Sequence, residues 1–210
     1  MHKYVIMGVQ GCGKGTQARM LQNALDLVHI SVGDIFRWHI QNHTKLGAQV
    51  KRIVASGNLV DDVIVEGIVR RRLEEHDWNY GFILDGFPRS DSQAQFFLES
   101  YDIDAVIHIH LPDEVVHERV LSRRLCSGCG LDFNLISHRP TLEDVCDVCG
   151  APLISRLDDA LEALADRLRD YHTKTEPVLD LFRRKELVID VDGTAAVEDI
   201  QNEIRSRIRA

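Results

Sequence analysis

The chain has 210 residues, of which 44% are hydrophobic and 28% are charged, and its formal net charge at pH 7 is −8. These values are typical of a globular protein with one sizeable core, and the acidic balance argues against general binding of nucleic acid, which requires a basic face. No run approaches the ~18 apolar residues of a membrane span, and the N-terminus lacks the features of a secretion signal. We therefore expect a cytoplasmic protein with no nucleic-acid or membrane partner.

Short apolar runs alternate with segments of helical periodicity along the chain. In chain order, strands are predicted at residues 3–9, 28–31, 81–89, 105–111 and 187–193. Helices are predicted at residues 16–25, 33–43, 63–76, 92–100, 112–125, 160–172 and 195–208. Asp34 is expected to cap the second helix, and Arg119 and Arg123, four residues apart, are expected to share one face of the helix over 112–125. The alternation predicts an α/β fold in which a parallel sheet is flanked by helices.

A glycine-rich stretch, "GVQGCGKGT" (8–16), follows the first strand and opens the first helix. Gly8, Gly13 and Lys14 fit the pattern G-x-x-x-x-G-K, in which backbone N–H groups, the helix dipole and the lysine charge all favour phosphate. The residue after Lys14 is Gly15, so the hydroxyl that usually binds Mg²⁺ directly comes one position later, at Thr16. The metal is therefore expected to rest on nucleotide phosphates and water, with Asp85 at the end of the third strand as its outer-sphere anchor.

Four of the five cysteines form two C-x-x-C pairs. Cys126, Cys129, Cys146 and Cys149 are spaced as in zinc sites, and four thiolates would leave no open coordination position, so the predicted Zn²⁺ is structural. Iron in the same site, or four buried reduced cysteines, are the alternatives. The fifth, Cys12, lies in the glycine-rich loop, where it most simply fills space.

Five segments, in this order, resemble the adenylate kinases, which transfer phosphate between ATP and AMP. They are "GVQGCGKGTQA", "ISVGDIFR", "GFILDGFPRSDSQA", "ERVLSRR" and "RLDD…DRL". The resemblance runs from residue 1 to beyond "VDGT" (191–194), and the cysteine-bearing insertion resembles the lid of the zinc-containing bacterial long form. It implies a monomer that binds ATP, AMP and ADP and catalyses MgATP + AMP = 2 ADP.

The resemblance also implies the domain organisation. A P-loop core with a five-stranded parallel sheet would comprise residues 1–30, 61–122 and 160–210. An AMP-binding flap would occupy residues 31–60, and a zinc-ribbon-like lid with the four cysteines would occupy residues 123–159.

The residue roles follow from the same resemblance, position by position. The implied ATP-binding residues are Gly11, Cys12, Gly13, Lys14, Gly15, Thr16, Arg119, Arg123, Asp132, Phe133 and Ala195. The implied AMP-binding residues are Val32, Arg37, Asn58, Leu59, Val60, Gly86, Phe87, Pro88, Arg89, Gln93, Arg156 and Arg167. The residues implied to act on the reacting phosphates, or beside them, are Lys14, Asp85, Arg89, Arg123, Arg156, Asp158, Asp159 and Arg167.

Two other functions stay open from the sequence. Val32 stands where the family commonly has threonine, which favours a kinase acting on UMP or CMP, whereas Gln93 argues for adenine. A nucleotide-dependent switch with a zinc ribbon is the rival from another class. The chain lacks the N-K-x-D that would read guanine, and Arg139 is the sole arginine or lysine in 126–150, which disfavours a ribbon that binds nucleic acid.

Overall fold

The computed structural model of the chain describes residues 2–77 and 80–208. The predicted core segments also include Met1, Trp78, Asn79, Arg209 and Ala210, which lie outside the described residues. In the described part, no helix combines the length and the apolar character needed to cross a membrane.

A parallel sheet forms the centre of the molecule. The strands of the described part are β1 (Lys3–Met7), β2 (Val28–Ser31), β3 (Phe82–Asp85), β4 (Ala105–His110), β5 (Arg123–Cys126), β6 (Asp132–Asn134), β7 (Leu153–Ile154) and β8 (Val188–Asp192). Five of them pair in the order β2-β3-β1-β4-β8, and every pair is parallel. The predicted α/β class and five-stranded parallel sheet are therefore confirmed.

Helices cover both faces of this sheet. They are α1 (Lys14–Leu25), α2 (Val32–Gln41), α3 (Lys45–Ala55), α4 (Asp62–Glu74), α5 (Asp91–Ser100), α6 (Asp113–Leu121), α7 (Leu161–Asp170), α8 (Glu176–Arg183) and α9 (Val197–Arg207). Side chains of β1 alternate between the faces. Tyr4 and Ile6 join one buried apolar cluster, and Val5 and Met7 join the other. Burial on both faces explains why these strands read as continuous apolar runs.

Two sequence predictions about helix ends are wrong. Ser31, not Asp34, caps α2, because the Ser31 hydroxyl accepts a hydrogen bond from the Asp34 backbone N–H at 3.3 Å. The helix predicted over 112–125 ends at Leu121, and Arg123 is the first residue of β5. The Ser122 hydroxyl donates to the Glu118 carbonyl and closes the last turn of α6, so Arg119 and Arg123 do not share a helix face.

The cysteine-bearing insertion has its own small sheet. Strand β5 lies in the middle and pairs antiparallel with β6 and β7. Cys126, Phe133, Cys146 and Leu153 form a buried cluster that is separate from the two clusters of the main sheet. Its four members are too few to hold such a sheet by apolar burial alone.

The helix predicted over 160–172 is interrupted rather than simply ended. Residues Tyr171–Thr175 form a π-helical turn between α7 and α8. The Tyr171 hydroxyl lies 3.1 Å from Nε2 of the buried His108, and the Thr175 hydroxyl donates to the Arg89 carbonyl at 3.0 Å. The extra residue of a π turn lets both side chains reach inward, and such turns are frequent at functional sites.

Candidate active site

A cavity of about 710 Å³ opens at the carboxyl ends of the parallel strands, where open α/β sheets bind their ligands. A smaller cavity of about 70 Å³ adjoins it, and the two share Arg37, Arg89 and Arg167 in their walls. The larger cavity is lined by ten of the residues predicted to bind ATP: Gly11, Gly13, Lys14, Gly15, Thr16, Arg119, Arg123, Asp132, Phe133 and Ala195.

All the residues predicted to bind AMP also line these two cavities. Phe87, Pro88 and Arg156 face the larger one, while Val32, Asn58, Val60 and Gln93 face the smaller one. Arg37, Leu59, Gly86, Arg89 and Arg167 line both. Among the residues predicted to bind nucleotide or to act on the phosphates, two line neither cavity. The Cys12 side chain is buried in the core, and Asp159 is buried and pairs with Arg123.

The loop between β1 and α1 needs its glycines. Gly13 precedes α1 with a φ of 102°, in the left-handed region that side chains other than glycine rarely adopt. A Cβ at Gly8 would lie 2.4 Å from the Ile109 carbonyl oxygen. The loop therefore packs tightly against β4 directly before α1, where a phosphate-binding loop is expected.

Lys14 lies at the first position of α1. Its Nζ donates to the carbonyls of Gly8 and Val9 at 2.8 and 2.7 Å, which folds the side chain back over the loop. The third donor of the ammonium group makes only a long contact with the Cys12 Sγ, at 3.7 Å, so it can turn toward an anion in the cavity.

Asp85 ends β3 on the floor of the larger cavity. Burial would raise the pKa of its carboxyl group, but His29 and Lys14 outweigh this effect and lower the pKa below its ordinary value. His29 Nε2 lies 3.7 Å from the carboxylate. Asp85 is thus held as an anion at the place where the sequence predicted an anchor for hydrated Mg²⁺.

Arginines from several elements converge on the larger cavity and pair with buried carboxylates. Arg123 forms a two-pronged ion pair with Asp159, while Arg167 donates to the Asp158 carboxylate at 2.9 Å. Arg156 pairs with Asp132. Each ion pair keeps the guanidinium charged in a partly desolvated site and fixes the orientation of the guanidinium.

The pKa values of these arginines follow from burial and from their partners. Burial lowers the pKa of Arg167 to about 10, with Asp158 opposing and Arg123 reinforcing the shift. Burial also lowers the pKa of Arg89, which forms no ion pair with the described residues. For Arg123, the carboxylate of Asp159 outweighs burial and raises the pKa. A pKa of about 10 still leaves the guanidinium charged at neutral pH, so the cluster stays cationic and favours phosphate.

Part of the wall of the smaller cavity is apolar and includes Val32, Phe36 and Val65. Gln93, which is 2% exposed, supplies a carboxamide among them. Its Oε1 accepts from the Arg89 backbone N–H at 2.8 Å, and its Nε2 donates to Asp62 Oδ1 at 2.6 Å. Apolar side chains beside an oriented carboxamide suit a flat, partly polar ring, and Arg37, Arg89 and Arg167 in the same wall suit an attached anion.

The insertion contacts the rest of the chain through polar groups. Arg19 of α1 pairs with Asp132 of β6 at 2.9 Å. Gln41, at the end of α2, donates to the Ser127 carbonyl at 3.1 Å and so joins the segment 31–60 to the insertion. Arg19 and Asp132 both line the larger cavity, so the insertion forms part of its wall.

Sequence reasoning missed several contributors to the site, including Arg19, Asp62, Tyr171 and Thr175. Arg19 lies one helical turn after Gly15, whose carbonyl accepts from Arg19 Nε at 3.3 Å, so its placement beside the loop could have been predicted. The contact of Asp62 with Gln93 joins residues 31 positions apart. No local pattern indicates it, because it depends on how α4 and α5 pack.

The four predicted metal ligands are brought together by two cysteine turns. The Sγ atoms of Cys126, Cys129, Cys146 and Cys149 all lie within 4.8 Å of one another. A tetrahedron with Zn–S bonds of about 2.3 Å has S–S edges of about 3.8 Å, which this spacing accommodates. Gly130 and Gly150, which follow the two pairs, have φ values of 74° and 72°, as the tight turns require.

The ionisation of these thiols also fits a cation. A backbone N–H from Cys129 is the main cause that lowers the pKa of Cys126, to about 6. The N–H of Leu131 favours a thiolate at Cys129, but hydrogen bonding with Cys126, Cys149 and Cys146, together with burial, outweighs it and the pKa rises to about 12. Four sulfurs this close cannot all ionise without a cation, and a divalent metal removes that penalty.

Comparison with known proteins agrees with this geometry. A family model described as adenylate kinase matches residues 6–187. The adenylate kinase of Caldicellulosiruptor bescii is 41% identical over 207 residues, which is 96% of this chain and 96% of the relative. That of Acetivibrio thermocellus is 38% identical over 96% of this chain and 95% of its own length. That of Petrotoga mobilis is 39% identical over 99% and 98%, respectively.

Proposed function

Since this chain belongs to the adenylate kinase family and transfers a phosphoryl group reversibly between ATP and AMP to give two ADP, we propose that the two joined cavities hold the two nucleotides. ATP lies in the larger cavity, the base of AMP lies in the smaller one, and the phosphates meet between them. The observation that carries this assignment is that Lys14, the arginine cluster and Gln93 converge on the two joined cavities.

On the ATP side, the loop N–H groups and Lys14 bind the phosphates. Arg119 lies against the adenine ring of ATP, and Phe133 and Ala195 line the same space. Cys12 contributes only its backbone, because its side chain is buried in the core. Mg²⁺ accompanies ATP in this family's reaction, and when bound it neutralises charge on the phosphates. Asp85 holds the hydrated ion through water.

On the AMP side, Arg37 and Arg89 bind the phosphate and Gln93 faces the adenine. Val32 offers only methyl groups to the base, so base selection falls on Gln93. The remaining residues assigned to this side close the pocket around the nucleoside: Asn58, Leu59, Val60, Gly86, Phe87 and Pro88.

The arginines of the larger cavity stabilise the transferring phosphoryl group. Phosphoryl transfer needs little covalent work from the protein, because holding the two nucleotides in line and neutralising charge supply most of the catalysis. Arg123, Arg156 and Arg167 contact the moving group. Asp158 and Asp159 orient Arg167 and Arg123 through their ion pairs and do not touch the substrate.

Residues 31–60 and 123–159 act as a flap and a lid that close over the nucleotides and exclude water, which would otherwise compete as the phosphate acceptor. The lid holds a structural Zn²⁺ through its four cysteines. The protein is a monomer, since one chain supplies the whole site, and it works in the cytoplasm, where thiols of this kind stay reduced.

The test is a panel of acceptors. Initial rates are measured with MgATP and with AMP, UMP, CMP or GMP at equal concentration. AMP is expected to be the best acceptor. Faster transfer to UMP or GMP would contradict the assignment of Gln93 to adenine. Faster transfer to UMP or CMP would favour the pyrimidine alternative that Val32 suggests.

A further inference from the structure

A carboxamide can read two opposite hydrogen-bonding patterns, because rotating it by 180° exchanges its donor and its acceptor. Adenine offers an amino donor beside a ring-nitrogen acceptor. Hypoxanthine, of the same size, offers a keto acceptor beside an N–H donor. A freely rotating Gln93 would therefore satisfy either ring, and by itself would not select AMP over IMP.

In this structure Gln93 is not free to rotate. The Arg89 backbone N–H, which can only donate, holds Oε1, and the Asp62 carboxylate, which can only accept, holds Nε2. In the rotated state the amide oxygen would face the Asp62 carboxylate and the amide NH₂ would face the Arg89 N–H. Both contacts would be repulsive in a site where Gln93 is 2% exposed, so no water could relieve them.

Asp62 is itself fixed in place. Its Oδ2 accepts from the Ser90 hydroxyl at 2.8 Å, while the Ser90 hydroxyl accepts from the Gln93 backbone N–H at 3.2 Å. Asp62 also lies in the first turn of α4, where the helix dipole favours a negative charge. One oxygen of Asp62 thus accepts from the Gln93 side chain, and the other accepts from Ser90, the N-cap residue of α5. Helix α5 carries Gln93.

Two polar positions of Gln93 stay available after these bonds. A glutamine amide has two N–H donors and two acceptor lone pairs, and one of each is already used. The free lone pair of Oε1 can accept from the amino group of adenine, and the free N–H of Nε2 can donate to the ring nitrogen beside it. The opposite arrangement of donor and acceptor on the base does not match. Cytosine has the same order as adenine, whereas uracil and guanine have the order of hypoxanthine.

We infer that Asp62 is a positioning residue for base selection, which makes the acceptor site specific for 6-amino over 6-keto purines by holding the Gln93 carboxamide in one orientation. This inference rests on the proposed placement of AMP against Gln93. It assigns Asp62 no contact with substrate and no part in the transfer step.

The test compares kcat/KM for AMP and IMP in the Asp62→Asn protein. Asparagine keeps the shape but can donate as well as accept, so the rotated amide regains a partner. A charge-assisted hydrogen bond is about twice as strong as a neutral one, and we expect the AMP/IMP ratio to fall by about tenfold. Because both acceptors are measured on one preparation, any loss of folded protein cancels from the ratio.

The neighbouring Asp61 provides the matched control. Its carboxylate accepts from the Val63 N–H at 3.0 Å and caps α4, and it has no hydrogen bond to Gln93. Asp61→Asn should leave the AMP/IMP ratio within about twofold of the wild-type value. Ser90→Ala, which frees one oxygen of Asp62, should shift the ratio in the same direction as Asp62→Asn, by less.

The outcomes separate this inference from the proposed function. If the wild-type protein does not prefer AMP over IMP, Gln93 is not held in one orientation and the role of Asp62 is overturned. If the wild type prefers AMP and Gln93→Leu keeps that preference, the placement of AMP against Gln93 fails. If the wild type prefers AMP and Gln93→Leu abolishes the preference, but Asp62→Asn keeps the wild-type ratio, the placement stands and the role of Asp62 is overturned.

Discussion

The ion pair between Arg123 and Asp159 allows stability and catalysis to be separated in one set of variants. The Asp159 side chain is 4% exposed. In Arg123→Met its nearest remaining cation is Arg167, at 3.5 Å. Breaking a buried pair by removing one partner costs about 3–5 kcal/mol. Because Arg167 stays, we take the lower end, about 3 kcal/mol, which lowers the melting temperature by roughly 6–12 °C in a chain of this length.

The double variant Arg123→Met/Asp159→Asn removes the uncompensated charge and should recover most of that stability. Its activity should not recover, because the contact that we propose between Arg123 and the transferring phosphoryl group is still missing. By analogy with lost oxyanion donors, we expect kcat to fall by about 10²–10³ in both variants. Thermal unfolding by circular dichroism and a coupled assay of ADP formation measure the two effects.

Arg124 is the matched control, because its guanidinium donates to the carbonyls of Leu121 and Arg123. Arg124→Met should melt within about 2 °C of the wild type and keep kcat within a few-fold. Equal melting deficits in the single and double variants would refute the argument from buried charge. Recovery of kcat in the double variant would refute a direct contact of Arg123 with phosphate.

Three further predictions concern other parts of the chain. Cys146→Ser should release the bound metal and lower the melting temperature, because metal binding is coupled to folding of its site; full retention of zinc in elemental analysis would contradict this. Gly57 has a φ of 78°, and a Cβ there would lie 2.5 Å from the Ala163 carbonyl oxygen, so Gly57→Ala should raise KM for AMP and destabilise the fold, as measured by steady-state kinetics and melting. Burial lowers the pKa of His108 although Asp190 opposes it, so the unfolded chain binds more protons near its pKa of about 6.5. The stability that His108 contributes is therefore complete above that pH and lost below it, and urea unfolding should show a smaller loss between pH 7 and 5.5 in His108→Gln than in the wild type.

The sheet, the phosphate loop and the cysteine cluster could be predicted from the sequence because each depends on short-range signals. Buried parallel strands read as apolar runs, and the loop and the cysteines are recognised by their spacing. Helix α3 has a local signal of the same kind, because Leu46, Val50 and Ile53 follow helical spacing after a Thr44 cap. It was therefore predictable, although the predicted helices do not include it. The start of β5 at Arg123 could not be predicted, since a sheet partner on β6 ends the preceding helix.

Contacts that decide selectivity were the least predictable. Asp62 and Gln93 lie on different helices, and nothing near either residue in the chain indicates the other. The same holds for Thr175 and Arg89, which meet only because a π-helical turn shifts the register of the chain between α7 and α8. Such pairs depend on tertiary packing rather than on local propensity.

The buried cluster of the cysteine-bearing insertion is separate from the two apolar clusters of the main sheet. This separation has an energetic consequence for the lid closure that we propose. Opening the lid would break the Arg19–Asp132 and Gln41–Ser127 contacts without exposing either apolar cluster of the main sheet. Water replaces polar contacts of this kind at a net difference of about 0.5–1.5 kcal/mol each. Open and closed forms would then differ by only a few kcal/mol, so the binding of two nucleotides suffices to shift the population and the release of ADP suffices to return it.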